Sequence, residues 1–199
     1  MSEFNTISKS TEGLYKEKGS KFVSFAFPID SEEDIKNHLE ETKKKYHDAR
    51  HHCYAWVLGM ENQTWRSNDD GEPSHSAGDP ILGQIRSAEL TNVLVIVVRY
   101  FGGTKLGVGG LINAYKTAAY ESLSKAQIIK IYEKRRVIFE FEYDQMSTVE
   151  RLIADFEIEV EERNFQENCK ISGWIKKDRV DPFLRSTEEH YTIKITIEP

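Results

Sequence analysis

The stretch that most limits what this chain can fold into is NVLVIVVRYF, residues 92–101. It shows no polar alternation, so both of its faces need cover, and it predicts a buried central strand. It leads directly into GGTKLGVGG (102–110), and a long helix is predicted over 107–126, GVGGLINAYKTAAYESLSKA. A buried strand, a glycine-rich turn and a helix thus form one continuous unit around which the first part of the chain has to pack.

The neighbouring elements are legible on the same grounds. SKFVSFAFPI (20–29) alternates as a strand and is closed by Pro28. SEEDIKNHLEETKKKY (31–46) predicts a helix: Ser31 and Asp34 have the spacing of a helix-start box, and Lys43, Lys44 and Lys45 suit the negative end of its dipole. RHHCYAWVLG (50–59) and the run around Trp65 predict paired strands. DDGEPSHSAGDP (69–80) is too rich in turn formers for regular structure, and Pro80 opens a short helix through Ala88.

Past a charge cluster, EKRR (133–136), a new pattern begins. VIFEFEY (137–143) alternates, and Asp144 is placed to cap a helix carrying Met146, Val149, Leu152, Ile153 and Phe156 at helical spacing. EIEVEERNF (157–165) and NCKISGWIK (168–176) alternate on either side of a polar turn. DRVDPFLRSTEEH (178–190) predicts a shorter helix with Pro182 in its first turn, and YTIKITIE (191–198) a last strand. The order βαββαβ predicts a ferredoxin-like sandwich, two helices on one face of a four-stranded antiparallel sheet. The expected fold class is α+β in two domains, residues 1–133 and 134–199.

A net charge of -6 removes the basic footprint of an indiscriminate nucleic-acid binder. Both parts of the chain are acidic, so any nucleic-acid contact has to come from a local patch. No stretch approaches the roughly 18 apolar residues of a membrane span, and MSEFNTISKSTEG resembles neither a secretory signal nor a transit peptide, so a soluble cytoplasmic protein is expected. Cys53 and Cys169 are too few for a disulfide framework and are expected as reduced thiols.

Three clusters could carry chemistry. In RYFGGTKLGVGGL (99–111), Gly102, Gly103, Gly107, Gly109 and Gly110 let another group approach the main chain closely, free N–H groups at the helix start would face an anion, and Lys105 and Arg99 add positive charge. Neither standard nucleotide-binding glycine pattern is met, and the same glycines also fit a tight strand-to-helix connection. In the loop, Asp69, Asp70 and Glu72 gather carboxylates beside Ser74, His75 and Ser76, which suits a hard cation or acid–base work but equally a self-bonded turn cornered at Asp70-Gly71; no metal site and no cofactor are expected. His47, His51, His52 and Cys53 offer zinc-type ligands, but alternation puts His51 and Cys53 on one face and His52 on the other, so a buried Cys53 is expected, with His51 and His52 as possible neighbours of the acidic loop. Of the aromatics, Tyr100 and Phe101 are the best placed to stack a base.

DARHHCYAW (48–56), NDDGEPSHSAGDP (68–80) and VVRYFGGTKLGVGGLINAY (97–115) together resemble the signature of the IMPACT family, with the second domain similar in element order to that of the bacterial two-domain type. The resemblance implies, for the first domain, the fold shared by a small-subunit ribosomal protein domain and the fourth domain of elongation factor G, and for the second a likeness to the ferredoxin-like fifth domain of that factor. It also implies a link to translation control. Eukaryotic members restrain a kinase of initiation factor two by competing for its activator; they carry an N-terminal domain to which this sequence has no likeness, so that partner is not expected here. His75-Ser76 departs from the Gly-Thr common in relatives, where a left-handed glycine would be easier.

The leading expectation is a binding protein that contacts RNA, the ribosome or a translation factor through Arg99, Tyr100, the glycine-rich turn and the acidic loop. An enzyme acting on a phosphorylated small molecule and a protein–protein adaptor are the alternatives, with the non-enzymatic reading favoured.

Overall fold

The computed structural model describes residues 3–61, 63–165 and 169–198. The chain divides into two compact units, Phe4–Ile131 and a second that begins at Tyr132 and takes in Glu3.

In the first unit the element order is β1 (Glu3–Ile7), β2 (Thr11–Glu17), β3 (Ser20–Pro28), α1 (Glu32–Lys45), β4 (His51–Leu58), β5 (Thr64–Asn68), α2 (Gly78–Ser87), β6 (Val93–Tyr100), α3 (Gly107–Leu123) and β7 (Ile128–Tyr132). Strands β2-β3-β6-β4-β5 form one sheet, antiparallel at every pairing, and β1 pairs separately with β7. The apolar run is the middle strand of the five. Val93, Val95 and Val97 face a core shared with α2 and α3, while Leu94, Ile96 and Val98 face a second core closed by Ile35 and Leu39 of α1. All six are fully buried. Helices on both sides therefore impose on an antiparallel strand the unbroken apolarity more usual in parallel sheets.

Local chemistry sets the element ends. Ser31 Oγ accepts from the Asp34 N–H at 3.1 Å and the Asp34 carboxylate accepts from the Ser31 N–H at 3.0 Å, the reciprocal box expected at the start of α1. The β2–β3 hairpin turns at Lys18 and Gly19, both at positive φ (46° and 79°), a geometry whose twist suits the flanking strands. Strands β1, β2 and β7 have no counterpart in the sequence reading, and α2 starts two residues before Pro80.

The second unit contains β8 (Lys134–Phe141), α4 (Met146–Asp155), β9 (Glu159–Phe165), β10 (Cys169–Lys176), α5 (Val180–Thr187) and β11 (Lys194–Glu198). Its sheet order, β11-β8-β10-β9, is the antiparallel arrangement of a ferredoxin-like sandwich. Phe139, Phe141, Ile171 and Ile175 of the sheet pack with Val149, Leu152 and Phe183 of the helices. One expectation fails: Asp144 does not cap α4. A 3-10 turn, Tyr143–Gln145, feeds the chain into the helix, and no side chain caps either element. The polar turn expected between β9 and β10 lies outside the described residues. Among the described residues, no helix is long and apolar enough to cross a membrane.

Candidate functional site

The antiparallel pairing of β4 with β6 sets His51 opposite Arg99, His52 opposite Val98 and Cys53 opposite Val97. The start of β4 and the end of β6 therefore lie side by side at one end of the sheet. The loop that follows β5 returns across this end, so residues 69–76 come against the strand that delivers the glycine-rich turn.

The two motif segments meet at Glu72. Its Oε1 accepts from Arg99 Nη1 at 2.6 Å and from the Tyr115 hydroxyl at 2.8 Å. The Arg99 and Glu72 side chains are 8% and 4% exposed, and Tyr115, on the third turn of α3, is fully buried. A charge at the end of an apolar strand needs a buried countercharge, and Glu72 supplies it from 27 residues away. Arg99 is therefore neutralised in place rather than free to meet an anion. Its Nε is buried without a hydrogen-bond partner among the described residues.

The other loop carboxylates are also engaged internally. Asp69 accepts from the N–H groups of His75 (2.8 Å), Ala77 (2.9 Å) and Gly78 (2.8 Å), and so caps α2 from outside the helix. Asp70 Oδ2 accepts from the His52 N–H at 2.7 Å, while its main-chain oxygen accepts from His51 Nδ1 at 2.9 Å. Because a carbonyl only accepts, Nδ1 of His51 is the donor in this contact. Ser76, fully buried, donates to the Pro73 carbonyl at 2.6 Å; Ser74 is exposed. His75 adopts φ +63°, the left-handed conformation that a glycine would take more easily, and its Nδ1 lies 2.7 Å from Asp79 Oδ2, with Ser67 donating to the other oxygen at 2.7 Å. Among the described residues no three His, Cys, Asp or Glu side chains converge as a metal site.

Burial sets the electrostatics. It pulls the His52 imidazole below its ordinary range against the pull of Asp70 3.8 Å away, and pushes the Cys53 thiol and the Tyr115 hydroxyl up. Cys53, fully buried, donates to the Asp69 carbonyl at 3.0 Å. Tyr100 donates to Asp48 at 2.7 Å, and burial together with that carboxylate raises its hydroxyl to about 12. The hydrogen bond to Asp79 is the main cause lifting His75.

The glycines divide into two kinds. A Cβ at Gly102 would fall 1.8 Å from the carbonyl carbon of Gly19, so this glycine lets the β2–β3 turn and the end of β6 touch main chain to main chain. A Cβ at Gly110 would stand 3.0 Å from that of Leu106. Gly103 and Gly107 are at φ +87° and +72°, and Gly109 is not; beside none of these three is there an atom within 4 Å of an added Cβ. Lys105 is exposed next to them, and no side chain caps the first turn of α3. Behind the turn a cavity of about 670 Å³ is lined by Asp48, Arg50, His51, Arg99, Tyr100 and Phe101, the last 58% exposed. The buried contact of Glu72 with Arg99 and Tyr115 was not readable from spacing. The only signal for it is Arg99 itself, a cation inside an apolar run.

The model of the Impact N-terminal domain matches residues 18–123, and that of a domain of unknown function, DUF1949, matches residues 139–186. An IMPACT family member of Thermus thermophilus is 36% identical over 153 residues, covering 77% of this chain and 82% of its own. A crystal structure described only as a hypothetical protein superposes with a TM-score of 0.72 at 25% identity, covering 100% of this chain and 97% of that one. The two-domain translational regulator Yih1 shares 26% identity over 61% of this chain and 47% of its own, with a TM-score of 0.37.

Proposed function

The chain belongs to the IMPACT family, and from that premise we propose that it is a translation-associated binding protein whose first unit docks on ribosomal RNA through the glycine-rich turn. The observation that carries this reading is Gly109. It lies in the first turn of a helix, its φ is ordinary and nothing approaches its missing Cβ, so neither packing nor conformation calls for a glycine there. Close approach of an outside group to the main chain does. Bare N–H groups at a helix start, beside exposed Lys105, suit a phosphate oxygen. The acidic loop supports this surface: Asp69, Asp70 and Glu72 are hydrogen-bonded within the protein, and the Glu72 charge is offset by Arg99.

Co-sedimentation with ribosomes and binding to ribosomal RNA across a salt series test the proposal. Phosphate contacts release counterions, so affinity should fall steeply as salt rises, and Lys105→Ala should reduce the salt slope by about one contact. No association at low salt would overturn it.

One observation favours the enzymatic alternative. His51, whose Nδ1 is held by the Asp70 carbonyl, lines the cavity behind the turn beside Arg50 and Tyr100, leaving Nε2 uncommitted among the described residues. A thermal-shift screen with nucleotides and sugar phosphates discriminates: a strong shift abolished by Gly109→Val, without ribosome association, would favour an enzyme acting on a phosphorylated small molecule.

A further inference from the structure

The face of the second unit's sheet that α4 and α5 leave bare is polar, and its centre is unsatisfied. Register sets Ser172 of β10 between Ile138 of β8 and Glu162 of β9, with Lys170 opposite Asn164 one step along. Ser172 is 3% exposed, yet its Oγ has no hydrogen-bond partner among the described residues. Buried hydroxyls are nearly always paired, so a lone one calls for a missing partner. It lines a cavity of about 180 Å³ together with Arg136, Ile138, Glu162, Asn164 and Lys170. Arg136 is already engaged by Glu161 at 3.0 Å and Glu198 at 3.4 Å. No ion pair or side-chain hydrogen bond among the described residues engages Glu162, Asn164 or Lys170; Lys170 acts on Glu140 only through its charge.

We propose that this cavity binds a small zwitterionic α-amino acid. A simple anion would meet the Glu162 carboxylate, and a simple cation would meet Lys170. A ligand carrying both charges satisfies both, its ammonium toward Glu162 and its carboxylate toward Lys170, with the Asn164 amide and the Ser172 hydroxyl as neutral donors. Ile138 gives the ligand's own side chain an apolar floor. A cavity of about 180 Å³ is small, which suits an amino acid with a short side chain such as alanine or serine. This site is independent of the glycine-rich surface of the first unit.

Isothermal titration of the full chain with alanine tests the proposal, with acetate and methylammonium as half-ligands and phenylalanine as the oversized control. Saturable heat is expected for alanine alone. Lys170→Met and Glu162→Gln should each weaken it about tenfold or more. Ser172→Ala is the sharper variant: losing an unpartnered hydroxyl should leave the melting temperature equal or higher while binding weakens, a combination that a purely structural serine does not produce. Acetate binding as tightly as alanine would reduce the site to an anion patch and overturn the proposal. So would the absence of heat with alanine from protein shown by circular dichroism to be folded.

Discussion

Glu72→Gln should destabilise the first unit by about 3–5 kcal/mol, the range for a buried ion pair that loses one member. Both side chains lie almost wholly out of water, at 8% and 4% exposure, so water cannot take over the lost interaction. Glutamine keeps the size and one acceptor oxygen for Tyr115. What it removes is the charge opposite Arg99, whose Nε has no partner among the described residues. The penalty is therefore that of an uncompensated guanidinium, and it should shrink when the guanidinium goes too. Glu72→Gln combined with Arg99→Met should recover at least about half of the loss, since paired apolar replacement of a buried ion pair is often close to neutral. Urea denaturation followed by tryptophan fluorescence measures this in a Trp174→Phe background, where Trp56 and Trp65 report on the first unit alone. A loss below about 1 kcal/mol, typical of an exposed pair, would refute the reasoning. So would a double variant as unstable as the sum of the two single ones.

The histidines should give opposing pH dependences. Asp79 raises His75, so that pair stabilises the fold fully below the unfolded value near pH 6.5 and loses its contribution as pH rises through the higher folded value; burial lowers His52, whose contribution is in place above about 6.5 and is lost as pH falls through the folded value. In His75→Asn only the second remains, and melting temperature should rise from about pH 5 to 8; a fall over that window contradicts the assignment. Gly102→Ala should cost about 3 kcal/mol or more because its Cβ meets backbone, whereas Gly109→Ala should stabilise by up to about 1 kcal/mol while weakening ribosome association, and equal effects from the two would undo the division between them. Cys53 and Cys169 are both buried and unpaired, and burial raises the Cys53 thiol, so an aromatic disulfide reagent at pH 8 should label neither until the chain is unfolded.

What the sequence revealed follows how strongly each element is buried. The central strand β6, the boxed start of α1 and the βαββαβ order all have dense local signals, and the structure contains them. Strands β2 and β7 contribute little to the core and carry no apolar alternation: in TEGLYKE only Gly13 is buried, and Leu14 is 47% exposed. β2 is placed by the hairpin that pairs it with β3, and β7 by β1 at the other end of the first unit, not by an apolar pattern of their own. The start of α2 was misplaced at Pro80 for a similar reason. Its cap, Asp69, sits nine positions before Gly78, a spacing with no local signature. Asp144, by contrast, had the local signature of a cap and no role as one, because the 3-10 turn satisfies the chain's entry into α4. In the candidate site, residue types were legible and their allegiances were not. Arg99 and Lys105 look alike as cations near glycines, yet one is closed in a buried pair and the other faces water.

That difference decides what the site can do. Of the three loop carboxylates, Glu72 has its charge offset by Arg99, so less negative charge faces a phosphate at this end of the sheet than the composition of the motif suggests. Each of the three accepts from a donor of the protein: main-chain N–H groups for Asp69 and Asp70, Arg99 and Tyr115 for Glu72. These bonds tie β4, β6, α2 and α3 to one loop, so the loop works as a clamp on the elements that deliver the glycine-rich turn. The turn itself is left with the properties of a contact surface: unfilled space at Gly103, Gly107 and Gly109, an uncapped helix start and an exposed lysine. Rigid support behind and accessible main chain in front are the properties of a docking surface, and the Asp69 carboxylate, both of whose oxygens accept from main-chain N–H groups, is held in that scaffold.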